Sequence, residues 1–172
     1  MKSIVIYSSL TGNTKQVAEA ITSVLPADTL CVSLSELPSD MASYDLVFAG
    51  FWVDKGTANK EARDVLGTLH NPHIALFATA GVPPQMAHAK ESLINAANCL
   101  PDGVEPVGTF ICQGKVDPKV IEMMYKMFPK GHSHGQSADR DARHKQAAVH
   151  PNEDDFKAAQ DFVQHILAKL DR

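Results

Sequence analysis

The sequence of 172 residues contains few cysteines and no long apolar run. The three cysteines, Cys31, Cys99 and Cys112, are odd in number and widely spaced, which fits neither a disulfide framework nor a CxxC metal or redox pair. No run approaches the roughly 18 apolar residues that cross a bilayer, and the N-terminus lacks the regions of a signal peptide. These absences predict buried structural thiols in a cytoplasmic chain that has no membrane partner.

An excess of charge of one sign is also missing. Sixteen Lys and Arg residues against twenty Asp and Glu give a formal net charge of −4, which argues against nucleic acid as the main partner but permits a small anionic ligand. The composition is 44% hydrophobic and 21% charged, which is typical of a globular domain. We expect a single domain over residues 1–172, and the sequence does not indicate an oligomeric state.

Short apolar runs alternate with amphipathic segments along the chain. The runs predict strands at 3–7, 29–33, 45–50, 73–79 and within 105–113. The spacing of apolar residues predicts a first helix through Val17, Ala20, Ile21, Val24 and Leu25. Further helices are predicted at about 58–70, at about 85–98, from 118 to about 128 with Asp117 as its N-cap, and at about 153–170. Because the strands look buried on both faces, we expect an α/β fold with a doubly wound, five-stranded parallel sheet.

The most informative stretch is VIYSSLTGNT, residues 5–14, in which an apolar strand ends in hydroxyl residues and a glycine and a helix begins at once. A phosphate fits this pattern, because backbone N–H groups point inward at a helix N-terminus where a glycine lets the chain turn. The stretch has neither the GxGxxG of a dinucleotide site nor the GK[ST] of a P-loop, which disfavours NAD and ATP. The polar groups offered to a phosphate belong to Ser9, Thr11, Gly12, Asn13 and Thr14.

Ligands of parallel sheets bind at the carboxyl ends of the strands. The predicted loops at that edge are residues 8–14, 51–57, 79–84 and 113–115. The first loop supplies phosphate contacts, and the next two are placed to enclose a planar group.

The stretch VIYSSLTGNTKQVAEAI resembles the flavodoxin signature. Tyr7 ends the strand, and the residues that follow at the intervals of the signature are Ser9, Gly12, Thr14, Ala18 and Ile21. This resemblance implies a flavodoxin-like fold with strand order 2-1-3-4-5 and noncovalent FMN as the cofactor. It implies that the phosphate is bound by Ser9, Leu10, Thr11, Gly12, Asn13 and Thr14. It implies that the ring is bound by Phe51, Trp52, Val53, Gly56, Thr79, Ala80 and Gly81.

The sequence departs from familiar flavodoxins around the ring. Trp52, the only tryptophan, is expected to stack on the flavin, and the alternative is an anchor between loop and core. The stretch ATAGVPP, residues 78–84, has no aromatic residue for the other face, so we expect an open ring. Lys15 follows Thr14 where an acidic residue is common. Lys55 is either a cation beside the ring, which favours negative charge on the reduced flavin, or a plain exposed lysine.

Residues 129–152 look irregular and contain four histidines, His132, His134, His144 and His150. Zinc needs three or four converging ligands, and the irregular spacing without a nearby cysteine favours a solvated loop or a partner surface instead. We therefore predict no metal site. Cys112 lies near the end of the fifth strand, but with Lys115 as the evident local cation a structural thiol is favoured over a redox thiol.

Two further stretches, GFWVDKGTA at 50–58 and FICQGKVDP at 110–118, resemble a flavodoxin-like subfamily that includes an accessory protein of bilirubin reduction. The resemblance implies an electron carrier between a reductase and a larger redox enzyme, accessory to tetrapyrrole reduction, with those proteins as partners. The alternative is an FMN-dependent reductase or oxidase that acts directly on a tetrapyrrole or quinone. We favour the carrier because no acid–base pair can be identified beside the flavin, and we assign no catalytic residue.

Overall fold

The computed structural model describes residues 1–171, so Arg172, the last residue of the predicted domain, lies outside the described residues. The strands are β1 (Ser3–Tyr7), β2 (Leu30–Ser33), β3 (Leu46–Asp54), β4 (Thr57–Ala58), β5 (His73–Ala80) and β6 (Gly108–Gln113). The helices are α1 (Asn13–Thr22), α2 (Lys60–Leu66), α3 (Ala87–Ala97), α4 (Pro118–Met127), α5 (Ala138–Ala147) and α6 (Glu153–Leu170). Short 3-10 turns occupy Leu34–Glu36 and Met41–Ser43.

The five long strands form a parallel sheet in the order β2-β1-β3-β5-β6, and β4 pairs antiparallel with the end of β3. Counted along the chain, the parallel strands follow the order 2-1-3-4-5, so the predicted fold class is confirmed. Tyr7 lies opposite Gly50, and Trp52 lies opposite Thr79. The carboxyl ends of β1, β3 and β5 therefore lie side by side.

Apolar residues cover both faces of the central strands. Ile4 and Ile6 are fully buried in the cluster that includes Ala62 and Leu66 of α2 and Ala96 of α3. The intervening residues of the same strands face the other way, into a cluster formed with α1 and α6. Because each buried large aliphatic or aromatic side chain contributes about 1.5–3 kcal/mol, these two layers hold the sheet rigidly.

Two strand predictions are corrected by the structure. The two edge strands are not buried on both faces, because Leu30 of β2 is 46% exposed and Thr109 of β6 is exposed as well. β3 does not end at Gly50 but continues to Asp54, because Trp52 pairs with Thr79 and Val53 pairs with Ala58. The first residues of the predicted 51–57 loop therefore belong to a strand.

The helices agree with the predictions except at two places. α2 is shorter than the predicted 58–70, because Ala58 is taken by β4 and the helix ends at the C-cap Gly67. α6 has the predicted bounds, and a capping box fixes its start, with Asn152 and Asp155 each accepting a backbone N–H of the other.

The second difference from the predicted helices lies in the segment 129–152. This segment is not irregular throughout, because the helix α5 forms within it. Ser137 caps this helix by accepting the N–H of Arg140 at 3.2 Å, and acidic residues occupy its first turn. Only Ala147 of α5 is buried, so the helix has no apolar period that sequence inspection could detect. Within residues 1–171, no helix has both the length and the apolar character that crossing a membrane requires.

Candidate functional site

The loop between β1 and α1 presents backbone donors at the helix N-terminus. Gly12 adopts φ +94°, a left-handed conformation that favours glycine, and provides no side-chain cap for α1. Ser9 Oγ accepts the N–H groups of Gly12 at 3.1 Å and Lys15 at 3.2 Å. Among residues 1–171, the N–H groups of Asn13 and Thr14 donate to no protein acceptor. The loop thus retains donors suited to an anion.

Two contacts fasten this loop to its neighbours. Thr14, which is only 1% exposed, shares a hydrogen bond of 2.9 Å between its Oγ1 and Thr79 Oγ1 at the end of β5. Asn13 Nδ2 donates to the carbonyl oxygen of Lys115 at 2.8 Å. Gly114 permits this contact, because a Cβ there would lie 2.8 Å from Asn13 Nδ2. The loop after β1 is therefore held against both β5 and the loop after β6.

A cavity of about 380 Å³ opens at this edge of the sheet, which is within the range of small-molecule sites. The predicted residues that line it are Leu10, Thr11, Asn13, Trp52, Val53, Thr79, Ala80 and Gly81. The remaining lining residues are Asp54, Lys55, Gly114, Lys115, Val116, Asp117, Val120 and Met124. The four predicted loops thus meet around one cavity, whose fourth wall is formed by loop 113–115 and the start of α4.

The other predicted site residues lie near the cavity without lining it. Ser9 and Gly12 shape the first loop, as described above, and Thr14 faces Thr79. Phe51 is fully buried in the core cluster beneath the sheet edge. Gly56 lies at the tip of the β3–β4 hairpin, where its carbonyl oxygen accepts Asn95 Nδ2 at 2.8 Å.

That hairpin tip has an unusual backbone. Lys55 at φ +50° and Gly56 at φ +78° are the two central residues of the turn, which is the type I′ pattern of tight hairpins. A lysine in the left-handed region is uncommon and carries strain. The turn places the exposed Lys55 among the residues that line the cavity.

The fourth wall was not assigned to the site from the sequence. The sequence does place loop 113–115 at the carboxyl edge and predicts Asp117 as the cap of the next helix. In the structure, Asp117 Oδ1 accepts the N–H of Lys119 at 2.8 Å, which fixes the start of α4. Val120 and Met124, one helical turn apart, then face the cavity. Their i, i+4 spacing after a capped helix start is the signal that could have identified them.

The charged groups of the cavity lie at its mouth. Lys55 and Lys115 are exposed, and Asp54 and Asp117 are partly exposed. Cys112 lies behind the cavity at 2% exposure, and burial raises the pKa of its thiol far above the ordinary range. A neutral, sealed thiol is a poor nucleophile, so the structure supports the structural interpretation of Cys112.

The four histidines of 129–152 make separate contacts. The rings of His132 and His134 pack on Phe128, with centroid distances of 4.7 and 5.3 Å. His144 lies 6.0 Å from the ring of Tyr125, and His150 Nδ1 lies 2.5 Å from Asp155 Oδ2. Among the described residues, no three His, Cys, Asp or Glu side chains are grouped so that they could hold a metal ion.

A larger depression of about 560 Å³ lies far from these loops on the surface of α6. Its lining residues, Asp161, Gln164, His165, Ala168 and Lys169, all come from that one helix. It is an exposed helix surface without a convergent set of polar groups. The cavity at the sheet edge is therefore the candidate site.

The fold and the site together define a flavodoxin-like α/β protein, and comparison with known sequences agrees. The family model described as flavodoxin domain matches residues 4–164, and the chain belongs to the flavodoxin family. It is 35% identical to the flavodoxin-like domain-containing protein BilS of Clostridioides difficile (strain CD3), over 98% of both chains. It is 33% identical to the BilS protein of Clostridium symbiosum (strain WAL-14163), over 95% of this chain and 94% of that one.

Solved structures share the fold at lower identity. A flavodoxin from Streptococcus pneumoniae TIGR4 superposes with a TM-score of 0.57 at 14% identity, covering 97% of this chain and 98% of that one. A flavoprotein in complex with FMN from Lactobacillus acidophilus NCFM gives a TM-score of 0.52 at 19% identity, covering 64% of this chain and 93% of that one.

Proposed function

We propose that this protein binds FMN noncovalently and carries electrons between a reductase and a larger redox enzyme. The observation that carries the proposal is the single cavity in which the loop after β1, Trp52 and the end of β5 meet. The similar flavoprotein from Lactobacillus acidophilus holds FMN, which supports the same cofactor here. When bound, FMN supplies the redox chemistry, since the isoalloxazine ring accepts and releases electrons.

The residues of the cavity fit the three parts of FMN. The N–H groups of Asn13 and Thr14 and the hydroxyl of Thr11 are donors for the phosphate, as the dipole of α1 favours negative charge there. Trp52 offers an aromatic face to the ring. The end of β5, Thr79–Gly81, offers backbone groups on the opposite side of the cavity.

The same cavity favours a carrier over an enzyme. Its titratable side chains lie at the mouth and none is buried, so no acid–base pair is set up inside. The similarity to BilS proteins over nearly the whole chain supports the accessory role in tetrapyrrole reduction that stretches 50–58 and 110–118 imply.

The second candidate function is direct reduction or oxidation of a tetrapyrrole or quinone at the flavin. One observation favours it: the exposed lysines Lys55 and Lys115 stand at the cavity mouth, where they match the propionate carboxylates of a linear tetrapyrrole.

The cofactor assignment is tested by placing a carboxylate in the phosphate loop. Thr11 is exposed, so Thr11→Glu adds charge without burying it, and Thr11→Gln is the matched control. We expect Thr11→Glu to raise the Kd for FMN on the order of 10- to 100-fold through repulsion of the phosphate, and Thr11→Gln by less than about threefold. Quenching of flavin fluorescence measures both.

Riboflavin, which lacks the phosphate, serves as the second ligand. The wild-type protein, Thr11→Glu and Thr11→Gln should bind riboflavin with similar affinities. Each of these affinities should be weaker than that of the wild-type protein for FMN. Equal affinity of the wild-type protein for riboflavin and FMN would contradict a phosphate site in this loop.

The carrier role is tested by anaerobic mixing of the FMN-loaded protein with NADPH. We expect the flavin absorbance to persist with NADPH alone and to bleach when a ferredoxin–NADP⁺ reductase is added. The photoreduced protein should then leave the absorbance of added bilirubin unchanged. Rapid bleaching by NADPH alone, or consumption of bilirubin by the reduced protein alone, would favour the direct enzyme instead.

A further inference from the structure

We infer that α4 is a wall of the cofactor site, with Met124 and Val120 packing against the flavin where the sequence has no second aromatic residue. This inference rests on the proposed binding of FMN. The stretch 78–84 has no aromatic residue, so the sequence predicts a ring with one open face. We infer instead that the aliphatic group of Val120 and the thioether of Met124 cover that face.

The orientation of α4 supports this role. Its apolar residues recur at i, i+3, i+4 and i+7, at Val120, Met123, Met124 and Met127, yet no residue of the helix is fully buried. Met124 and Val120 line the cavity, with Val120 40% exposed, whereas Met123 and Met127 do not line it and are 57% and 63% exposed. The apolar stripe therefore divides into a side that faces the cavity and a side that faces solvent.

Contacts with three other segments of the chain fix the loop that leads into α4. The N–H of Lys115 donates to the carbonyl oxygen of His150 at 2.8 Å, and its own carbonyl oxygen accepts Asn13 Nδ2. A Cβ on Gly81 would lie 2.6 Å from Val116 Cγ2, so the loop after β6 packs directly on the loop after β5. The wall is thus built onto the loops that the sequence assigned to phosphate and ring.

The outer side of α4 is held by α5. Tyr125 OH donates to Asp141 Oδ1 at 2.9 Å, and Arg140 Nη1 lies 4.0 Å from Met124 Sδ. These contacts join α5 to α4 beside Met124, which also lines the cavity. Methionine suits that position, because its polarisable sulfur makes favourable contacts with aromatic rings and its flexible chain fits irregular surfaces.

Two neighbouring methionines give a matched test. Met124→Ala should raise the Kd for FMN on the order of fivefold, because one face of the ring loses its cover. Met123→Ala removes the same atoms from the solvent side of the same helix and should change the Kd by no more than about twofold. Met124→Leu should restore most of the affinity, since it retains the volume.

Flavin fluorescence gives the Kd, and far-UV circular dichroism with urea unfolding verifies that each variant is folded. Val120→Thr, which keeps the shape and adds a hydroxyl, is the second variant, and it should weaken binding in the same direction as Met124→Ala. Equal behaviour of Met124→Ala and Met123→Ala would overturn the wall while leaving FMN binding intact. A wild-type protein that does not bind FMN would overturn both proposals.

Discussion

The central sheet and the layer formed by residues 115–150, which we call the outer layer, are built by different interactions. In the sheet, side chains such as Phe48 and Phe77 are fully buried between helices. In the outer layer, α4 has no buried residue and α5 has one, Ala147. The two helices are joined instead by polar contacts such as that between Tyr125 and Asp141. Apolar burial thus supplies the rigid frame, and side-chain hydrogen bonds hold the helices of the outer layer together.

The two regions also differ in charge. The outer layer contains seven Lys and Arg residues against four Asp and Glu, whereas the rest of the chain contains nine against sixteen. The outer layer therefore has an excess of positive charge on a chain whose net charge is −4.

The largest expected difference between the regions is in stability. Phe77 is fully buried beside Gly50, so Phe77→Ala should lower the free energy of unfolding by about 3–5 kcal/mol. Ile121 of α4 is partly exposed, and Ile121→Ala should cost less than about 2 kcal/mol. Urea unfolding followed by circular dichroism measures both. If the two substitutions lowered the free energy of unfolding by similar amounts, the frame and the outer layer would not differ in stability as proposed.

A smaller, local effect concerns pH and the packing of α5. The ring nitrogens of His144 are sealed from water without a partner, and burial lowers the pKa of this histidine below its ordinary value of 6.5. Arg140 and Arg143 lower that pKa further, and Asp141 opposes them. Because the unfolded segment takes up the proton more readily, the stability from neutral His144 is complete above pH 6.5 and is lost as the pH falls below it.

Hydrogen exchange of the α5 amides, corrected for the intrinsic rate, measures this effect. Opening of α5 should be more frequent at pH 5.5 than at pH 7.5 while the amides of β3 and β5 stay protected. His144→Phe, which keeps a ring without a titratable group, should remove the dependence. Opening that is equally sensitive to pH in this variant would assign the effect to another group.

The smallest expected effect lies in the frame itself, at the strained hairpin tip. Lys55 occupies the left-handed region at φ +50°, and asparagine adopts that conformation more readily. Lys55→Asn should therefore raise the free energy of unfolding by about 0.5 kcal/mol. Lys55→Ala, which retains the strain, is the control and should give no gain. A gain of equal size with alanine would show that the lysine side chain, rather than the backbone, carries the cost.

The sequence predicts the frame well because its signals are local. The alternation of apolar runs and helices predicts the parallel sheet, the resemblance to the flavodoxin signature implies its strand order, and the pattern around Gly12 predicts the turn into α1. Most of the predicted site residues line the cavity, whereas Phe51 turns into the core because β3 continues past Gly50.

The outer layer is harder to predict because its signals are not local. α5 depends on the Ser137 cap and on contacts with α4 rather than on an apolar period. The fourth wall depends on the meeting of Asn13, Lys115 and His150, which are distant in the sequence. The spacing of residues along the chain does not predict contacts between residues that are so far apart in the sequence.

The hydrogen bonds that Lys115 makes with Asn13 and His150 also have a consequence for synthesis of the chain. Asn13 gains its side-chain bond only when Lys115, 102 positions later, has been made, and Lys115 is itself fixed by the carbonyl group of His150. Because chains emerge from the ribosome N-terminus first, the loop after β1 is among the first segments produced and among the last to be fully braced. A nascent chain stalled before residue 150 would therefore hold a formed first loop without its final brace.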